Sequence, residues 1–444
     1  MVLAPVILGE EAKNASKTVN VGFIGVGTQG RVLLTNALKI PNLRFVGVAD
    51  IWPYNQGYAV RTLKKYNHPA NGYIEYAEML DKEKDIDAVI VATPDWKHAE
   101  CTVAALKAGK HVYCEKEMSN DIALAKEMVV TSQQTKKLLQ IGHQRRSNPR
   151  YQLAIDYMQK KNCCGMLTFL SAGWSRSKRL DVGWPKGQEL DEAALKKYGY
   201  DTMARFRNWR WYKKFSGGPI ADLGSHQIDI FNWALKASPA AVMAAGGCDF
   251  YEGIEWYDNI SALYEWDNVD QGGKKHTVRG YYQLLSTSSH GGYSETFIGT
   301  DGSLIISENA GTGGMRREQE AAEADWEKEL PKPSGPNAAP AAAPKVEEKK
   351  AETKDGAKKD ADDDIKVGHS VPAPGRYFGP ITVAGFNKSE HLPHIENFIA
   401  AIREGAALTC PGEVGYDTAV TVLKVNDAIV AAKRLEFKPE EFKA

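Results

Sequence analysis

Val19-Asn20-Val21-Gly22-Phe23-Ile24-Gly25-Val26-Gly27-Thr28-Gln29-Gly30 is the stretch on which the reading of the chain turns. Residues 19–24 form a short apolar run of strand type. The run leads straight into three glycines, Gly25, Gly27 and Gly30, spaced GxGxxG, and a helical stretch follows over 31–39. Between a strand and a helix this triplet has a mechanical meaning. The first glycine permits a tight turn, the second lets a pyrophosphate approach the backbone, and the third allows close helix–strand packing. The helix N-terminus adds free amide donors and a positive dipole end, with Thr28 and Gln29 inside the loop. A second strand, 44–49, ends at Asp50. A carboxylate there accepts from ribose hydroxyls and repels a 2′-phosphate, which favours NAD over NADP.

The alternation continues outward from this unit. Helical patterns at 54–66 and 76–81 precede a continuous apolar strand at 86–92, which ends at Thr93-Pro94-Asp95. A helix at 97–108 carries His98. The strand at 111–114 is followed by Glu115-Lys116-Glu117, and a helix at 120–135 has Asn120 or Ser119 as its cap. The strand at 138–141 leads to Gly142-His143-Gln144-Arg145-Arg146. About six strands with helical crossovers make an open, doubly wound α/β sheet of Rossmann type, whose ligands sit at the carboxyl ends of the strands. A lysine at that edge, Lys116, can hydrogen-bond a reacting hydroxyl; it can equally pair with Glu115 or Glu117.

Beyond Pro149 the pattern changes. After a helix at 151–161 come strand-like runs at 166–174, 240–247, 259–265, 277–285, 293–299 and 303–307, interrupted by a helix at 226–235. This predicts an α+β domain with a large, mostly antiparallel sheet. The stretch 181–212 reads as a long loop and holds Trp184, Arg205, Arg207, Trp209, Arg210, Trp211 and Tyr212; aromatic faces with cationic donors suit a polyhydroxylated ring. Asp222 and His226 stand four residues apart just after Gly217-Gly218. On a helix they share one face, where a carboxylate can orient an imidazole and favour its protonated form. Residues 331–366 are Ala/Pro-rich and then mixed-charge, which predicts a disordered insertion. Helices are expected at 390–403 and 415–433. His391 and His394 lie on the first and read as exposed or capping residues rather than metal ligands. The expected organisation is a tail at 1–17, a dinucleotide-binding domain at 18–147 and a substrate and oligomerisation domain at 148–444.

Composition bounds the function classes. The 444 residues are 43% apolar and 25% charged, with 56 basic and 56 acidic side chains, so bulk charge points to neither nucleic acid nor a membrane surface. No apolar run is long enough to span a bilayer. Residues 1–9 are apolar but lack the basic start of an export signal, so a cytoplasmic location is expected. The alternative is an exported protein whose N-terminus is the remnant of a cleaved signal. The 6 cysteines show no zinc-site spacing and read as thiols of a reducing compartment.

Gly25 to Gly30, Ala92-Thr93-Pro94, Cys114-Glu115-Lys116 and Gly217 to Asp229 together resemble the Gfo/Idh/MocA family of NAD(P)-dependent oxidoreductases. The resemblance covers nearly the whole chain apart from the tail and the insertion. It implies a Rossmann domain, a second domain whose open sheet makes a dimer or tetramer, and substrates among sugars, cyclitols and their derivatives. The family's catalytic lysine falls on Lys116 and its Asp-x-x-x-His pair on Asp222 and His226. The implied cofactor contacts are Gly25, Gly27, Thr28, Gln29, Gly30, Asp50, Thr93, Pro94, His98, Glu115, Lys116 and Gln144. The implied substrate contacts are Arg146, Trp209, Arg210, Asp222 and His226, with no metal. The chain departs from the family at Glu117, where proline is usual. Alternative readings are a redox-neutral glycosidase or epimerase with tightly bound NAD, a non-catalytic nucleotide sensor, and a metal-dependent isomerase using Asp222, His226 and Asp229.

Overall fold

A computed structural model describes residues 17–177, 181–270, 272–330 and 375–444. The expected tail, apart from Lys17, and the expected insertion at 331–366 lie outside the described residues.

Six parallel strands form the first sheet: β1 (Val19–Ile24), β2 (Leu43–Ala49), β3 (Asn71–Tyr73), β4 (Ala88–Val91), β5 (His111–Cys114) and β6 (Leu139–Ile141). Their order is β3-β2-β1-β4-β5-β6. The order reverses between β1 and β4, which places the Gly25 loop and Thr93-Pro94 side by side at the switch point. β3 escapes sequence reading because Asn71-Gly72-Tyr73 is too short to show a pattern. The helix after the glycine loop begins at Thr28 rather than at 31, with Gly27 as N-cap and no side-chain cap. Its first amides are left for a ligand. The helix expected from 120 starts at Ile122, and its cap is Asp121, whose carboxylate accepts from the Leu124 amide at 3.0 Å. A carboxylate caps and also complements the helix dipole, which neither Asn120 nor Ser119 does as well.

The second sheet has nine strands: β7 (Leu167–Ser175), β8 (Ala241–Gly247), β9 (Asn259–Val269), β10 (Lys275–Leu285), β11 (Tyr293–Gly299), β12 (Gly302–Ile306), β13 (Gly314–Arg317), β14 (Arg376–Tyr377) and β15 (Leu435–Glu436). Every pairing is antiparallel except β7 with β10. The alternating burial of β9 and β10 shows one face packed and one face open. The packed face receives the helices Ser225–Leu235 and Gly412–Ala431. The segment 181–212, expected as a loop, folds into short helices at Glu192–Lys197 and Met203–Arg207.

Two findings change the expected organisation. The helix Leu392–Glu404 packs Leu392, Ile395, Phe398 and Ile399 into the core of the first sheet. Residues 148–444 therefore do not form one separate domain, because the chain crosses back to the nucleotide-binding side. His394 is neither exposed nor a cap. It is buried, with Nε2 against the Ile141 carbonyl at 2.8 Å and Nδ1 against Ser147 Oγ at 2.7 Å. It ties that helix to the end of β6.

Candidate functional site

A cavity of about 640 Å³ lies along the carboxyl edge of the first sheet and is closed by the second domain. On the sheet side it is lined by Gly25, Gly27, Thr28, Gln29, Asp50, Thr93, Pro94, His98, Glu115, Lys116 and Gln144. Gly25 has φ +86°, and a Cβ there would sit 2.7 Å from the Ala92 carbonyl oxygen. At Gly27 a Cβ would meet nothing within 4 Å, so this part of the loop is open to a large ligand. Gly30 is set behind the loop; a Cβ on it would lie 2.2 Å from the Gly25 carbonyl oxygen, which makes it the packing glycine. An open cradle beside uncapped helix amides fits a dinucleotide.

Asp50 is 8% exposed and holds the loop. Its Oδ2 accepts from the Val26 amide at 2.7 Å and its Oδ1 from the Trp52 amide at 2.9 Å. Burial raises its pKa, and these amides with Asn55 oppose the rise. His98 is buried with Nδ1 against the Glu117 carbonyl at 2.6 Å and Nε2 against the Thr93 carbonyl at 2.7 Å, so it staples two strand ends together. Gln29 Nε2 donates to Glu115 Oε1 at 3.2 Å and lies 2.9 Å from His391 Nε2. His391 thus reaches the cavity from the far end of the chain, and no local pattern in the sequence signals this.

The facing wall comes from the second domain. Lys116 and Asp222 have side chains 10% and 13% exposed. The Lys116 ammonium donates to the Asp222 backbone carbonyl and lies 3.9 Å from its Oδ1. Arg210 Nε donates to Asp222 Oδ1 at 3.0 Å, and Arg176 Nη2 reaches Oδ2 at 3.4 Å. Asp222 sits on a π-helical turn, Ile220–Gly224, which runs into the helix Ser225–Leu235. The expected pairing with His226 is therefore corrected. Among the described residues the carboxylate organises Lys116, Arg176 and Arg210, while His226 Nδ1 is buried without a hydrogen-bond partner. Burial, reinforced by Lys116 and Arg145, holds the His226 pKa well below the ordinary imidazole value, and Asp222 opposes this but is outweighed. The imidazole is neutral, not charged, as a proton acceptor must be.

Trp174 on β7 and Arg176 just past its end also line the cavity, and both were missed. Alternation along β7 marks a strand without saying which face meets a ligand. Trp174 stacks on Tyr293 with centroids 4.5 Å apart and lies 5.7 Å from the His226 ring. Trp209 lines the cavity beneath the Arg210 guanidinium, 4.3 Å away. Arg146 does not line it: Nε donates to both Asp229 oxygens at 2.9 Å, and Thr418 Oγ1 donates to Oδ1 at 3.0 Å. Its expected substrate role gives way to a buried clamp between the domains, and Asp229 is engaged there too. Glu117 does not pair with Lys116 at the side chain; its Oε1 accepts from the Met118 amide at 2.8 Å.

A doubly wound sheet with an open glycine cradle at its switch point and Lys116 at its edge, faced by Asp222 and His226 from the helical segment packed on the mixed sheet, defines a two-domain dinucleotide-binding protein. The chain belongs to the Gfo/Idh/MocA oxidoreductase family. Residues 19–143 match the family model described as oxidoreductase family, NAD-binding Rossmann fold, and 194–305 match the GFO/IDH/MocA C-terminal domain. The first sheet is thus the family's NAD-binding domain. An inositol 2-dehydrogenase of Salmonella typhimurium is 32% identical over 136 residues, 30% of this chain and 39% of that protein. A 1,5-anhydro-D-fructose reductase of Ensifer adhaerens is 27% identical over 224 residues, 50% of this chain and 58% of that protein. Both matches span less than two thirds of the relative's length. The structure of a levoglucosan dehydrogenase in complex with NADH and levoglucosan superposes with a TM-score of 0.66 at 17% identity, covering 95% of this chain and 99% of that one. At that identity the likeness is one of fold. Among the described residues, no helix is long and apolar enough to cross a membrane.

Proposed function

We propose that the protein is an NAD-dependent oxidoreductase acting on a secondary hydroxyl of a sugar, cyclitol or glycoside. The observation that carries this is one cavity holding the glycine cradle, a lysine tied to an aspartate, and a buried neutral imidazole. The named oxidoreductase relatives support it. Gly25, Gly27, Thr28 and the helix amides would hold the pyrophosphate, and Asp50 the adenosine ribose. NAD, when bound, supplies the hydride acceptor. His226 accepts the hydroxyl proton, and Lys116 stabilises the developing alkoxide. Asp222 anchors Lys116, Arg176 and Arg210 at the correct reach. Trp174 and Trp209 offer faces to the ring, and Arg210 offers donors to its hydroxyls.

A homo-oligomer through the open face of the second sheet is part of this reading. Phe169, Ile298 and Ile305 are exposed on adjacent strands of that face, with Phe169 in register with Ile298. Light scattering of the purified protein tests it. All 6 cysteines are free, which supports a reducing, cytoplasmic compartment, although Cys248 is exposed rather than buried.

The functional test is direct. The purified protein is denatured, any released nucleotide is identified, and a panel of sugars, cyclitols and glycosides is screened for NADH formation. Net NADH with a cyclitol or sugar supports the reading. Product without net NADH assigns redox-neutral chemistry in its place.

A further inference from the structure

Among the described residues near the site, buried polar atoms without a hydrogen-bond partner include Glu117 Oε2, both ring nitrogens of His143, and His226 Nδ1. Glu117 and His143 are each 1% exposed. Their proximity follows from the sheet. The Gly142 amide donates to the Cys114 carbonyl at 2.8 Å, so the segments after β5 and β6 leave the sheet as neighbours. The turn that follows His143 is then bound to the helix of His226 by the Arg146–Asp229 pair. Lys116 acts electrostatically on Glu117, His143 and His226 alike, and His143 acts on His226. Buried polar atoms that lack a protein partner are typically satisfied by ordered water.

We propose that His143 and Glu117 are positioning residues for His226, forming with ordered water a buried relay that fixes its tautomer and takes up the abstracted proton. The proposal rests on the oxidoreductase reading above. With Nδ1–H of His226 directed at the relay, Nε2 keeps its lone pair for the substrate hydroxyl. When Nε2 gains the hydroxyl proton, Nδ1 passes its own through water to one nitrogen of His143. The other nitrogen of His143 releases a proton to the Glu117 carboxylate. The substrate O–H breaks as an N–H forms at Nε2 and another breaks at Nδ1 of His226, one O–H forms at Glu117, and His143 exchanges one proton for another.

The surroundings suit a terminal acceptor. Burial pushes the Glu117 carboxyl up to about 8, opposed by the Met118 amide and by Lys116 and reinforced by Asp95 and Asp229. Burial lowers His143 to about 4, with Asp229 opposing and Arg146, Lys116 and Arg145 adding to the fall. A Glu117 carboxyl held at about 8 is a carboxylate only above that pH, so His143 passes its proton on to Glu117 in alkaline solution, where the relay runs in full. Cys410 is held far above the thiol range by burial and takes no part. Glu117 is also where this chain departs from the family's usual proline.

Two measurements decide the proposal. In a crystal structure of the NAD-bound protein, ordered water connects Glu117 Oε2, His143 and His226 Nδ1; a dry, unconnected arrangement overturns the relay. For the substrate found in the panel, Glu117→Gln and His143→Phe lower kcat by about tenfold or more while KM stays within about twofold. In the wild type kcat rises with pH through about 8 as Glu117 ionises; Glu117→Gln removes that rise, and Glu117→Asp restores part of it. Wild-type kcat and an unchanged pH profile in variants that still bind NADH would overturn the relay and leave the functional reading standing. If the wild type oxidises nothing in the panel, the functional reading fails, and the crystal structure still decides whether the relay exists.

Discussion

On the nucleotide side of the cavity the chain offers backbone. The Gly25–Gly30 loop, the uncapped amides from Thr28 onward and the ends of β1 and β4 make the surface, and Asp50 serves it by holding the Val26 amide. On the facing side it offers side chains from segments far apart: Trp174 and Arg176 from the end of β7 and the residue after it, Trp209 and Arg210 from the folded segment, Asp222 and His226 from one helical turn. The first surface is made by what side chains leave out. The second is made by charge pairing, with the Asp222 carboxylate holding Lys116, Arg176 and Arg210 among the described residues. The difference teaches where each half is vulnerable. The nucleotide side fails when atoms are added to its glycines, and the facing wall fails when a single polar atom is taken away.

The sharpest test of this contrast is His226→Ala. It should lower kcat by about 10²- to 10⁴-fold, with NADH affinity measured by fluorescence nearly intact. In the wild type, the acid limb of kcat/KM should fall below the ordinary imidazole pKa, because burial keeps His226 neutral. Full turnover in the alanine variant would remove the facing wall from the chemistry.

Arg146→Ala tests the seam between the halves. Removing one partner of a buried ion pair costs about 3–5 kcal/mol, so urea unfolding should shift strongly while substrate KM changes little. A large KM effect at unchanged stability would return Arg146 to the substrate site. Gly25→Ala probes the backbone side. Holding a side chain at φ +86° against the Ala92 carbonyl costs about 1–3 kcal/mol, which weakens NAD binding roughly tenfold to a hundredfold. Unaltered binding would mean that the cradle does not depend on its glycines.

The last test turns on Glu117 and is read as a slope with pH rather than as a single loss. Its carboxyl is raised from 4.5 to about 8 in the folded chain. Its contribution to stability is therefore fully present below the unfolded value and is lost as pH rises through the folded one. Relative to Glu117→Gln, the wild type should lose about 1.4 kcal/mol per pH unit between those two values. Parallel stability curves would show that the carboxyl is solvated and is not part of the buried seam.

Sequence reading was strongest where chemistry is local. The strand–glycine–helix unit, Asp50, Thr93-Pro94 and Lys116 are legible because a parallel strand, its turn and its carboxyl edge are contiguous in the chain. Asp222 and His226 were legible as neighbours because four residues span about one helical turn. Trp174, Arg176 and His391 were not, since nothing within a strand or at a helix start says which distant surface it will face. The same blindness put Arg146 at the substrate and made Asp222 the partner of His226, when longer-range ion pairs bind both elsewhere.

By itself the sequence determined a doubly wound nucleotide-binding sheet, a mostly antiparallel second sheet, and the residue types of the reacting centre. Hydrophobic periodicity and glycine stereochemistry are properties of short segments, so they survive without a fold. Tertiary structure decided the rest: that the helix Leu392–Glu404 returns to the first sheet, that Asp222 gathers cations, and that His226 is neutral. Charge state and pairing depend on burial and on partners brought from tens to hundreds of residues away, and only the folded chain supplies them.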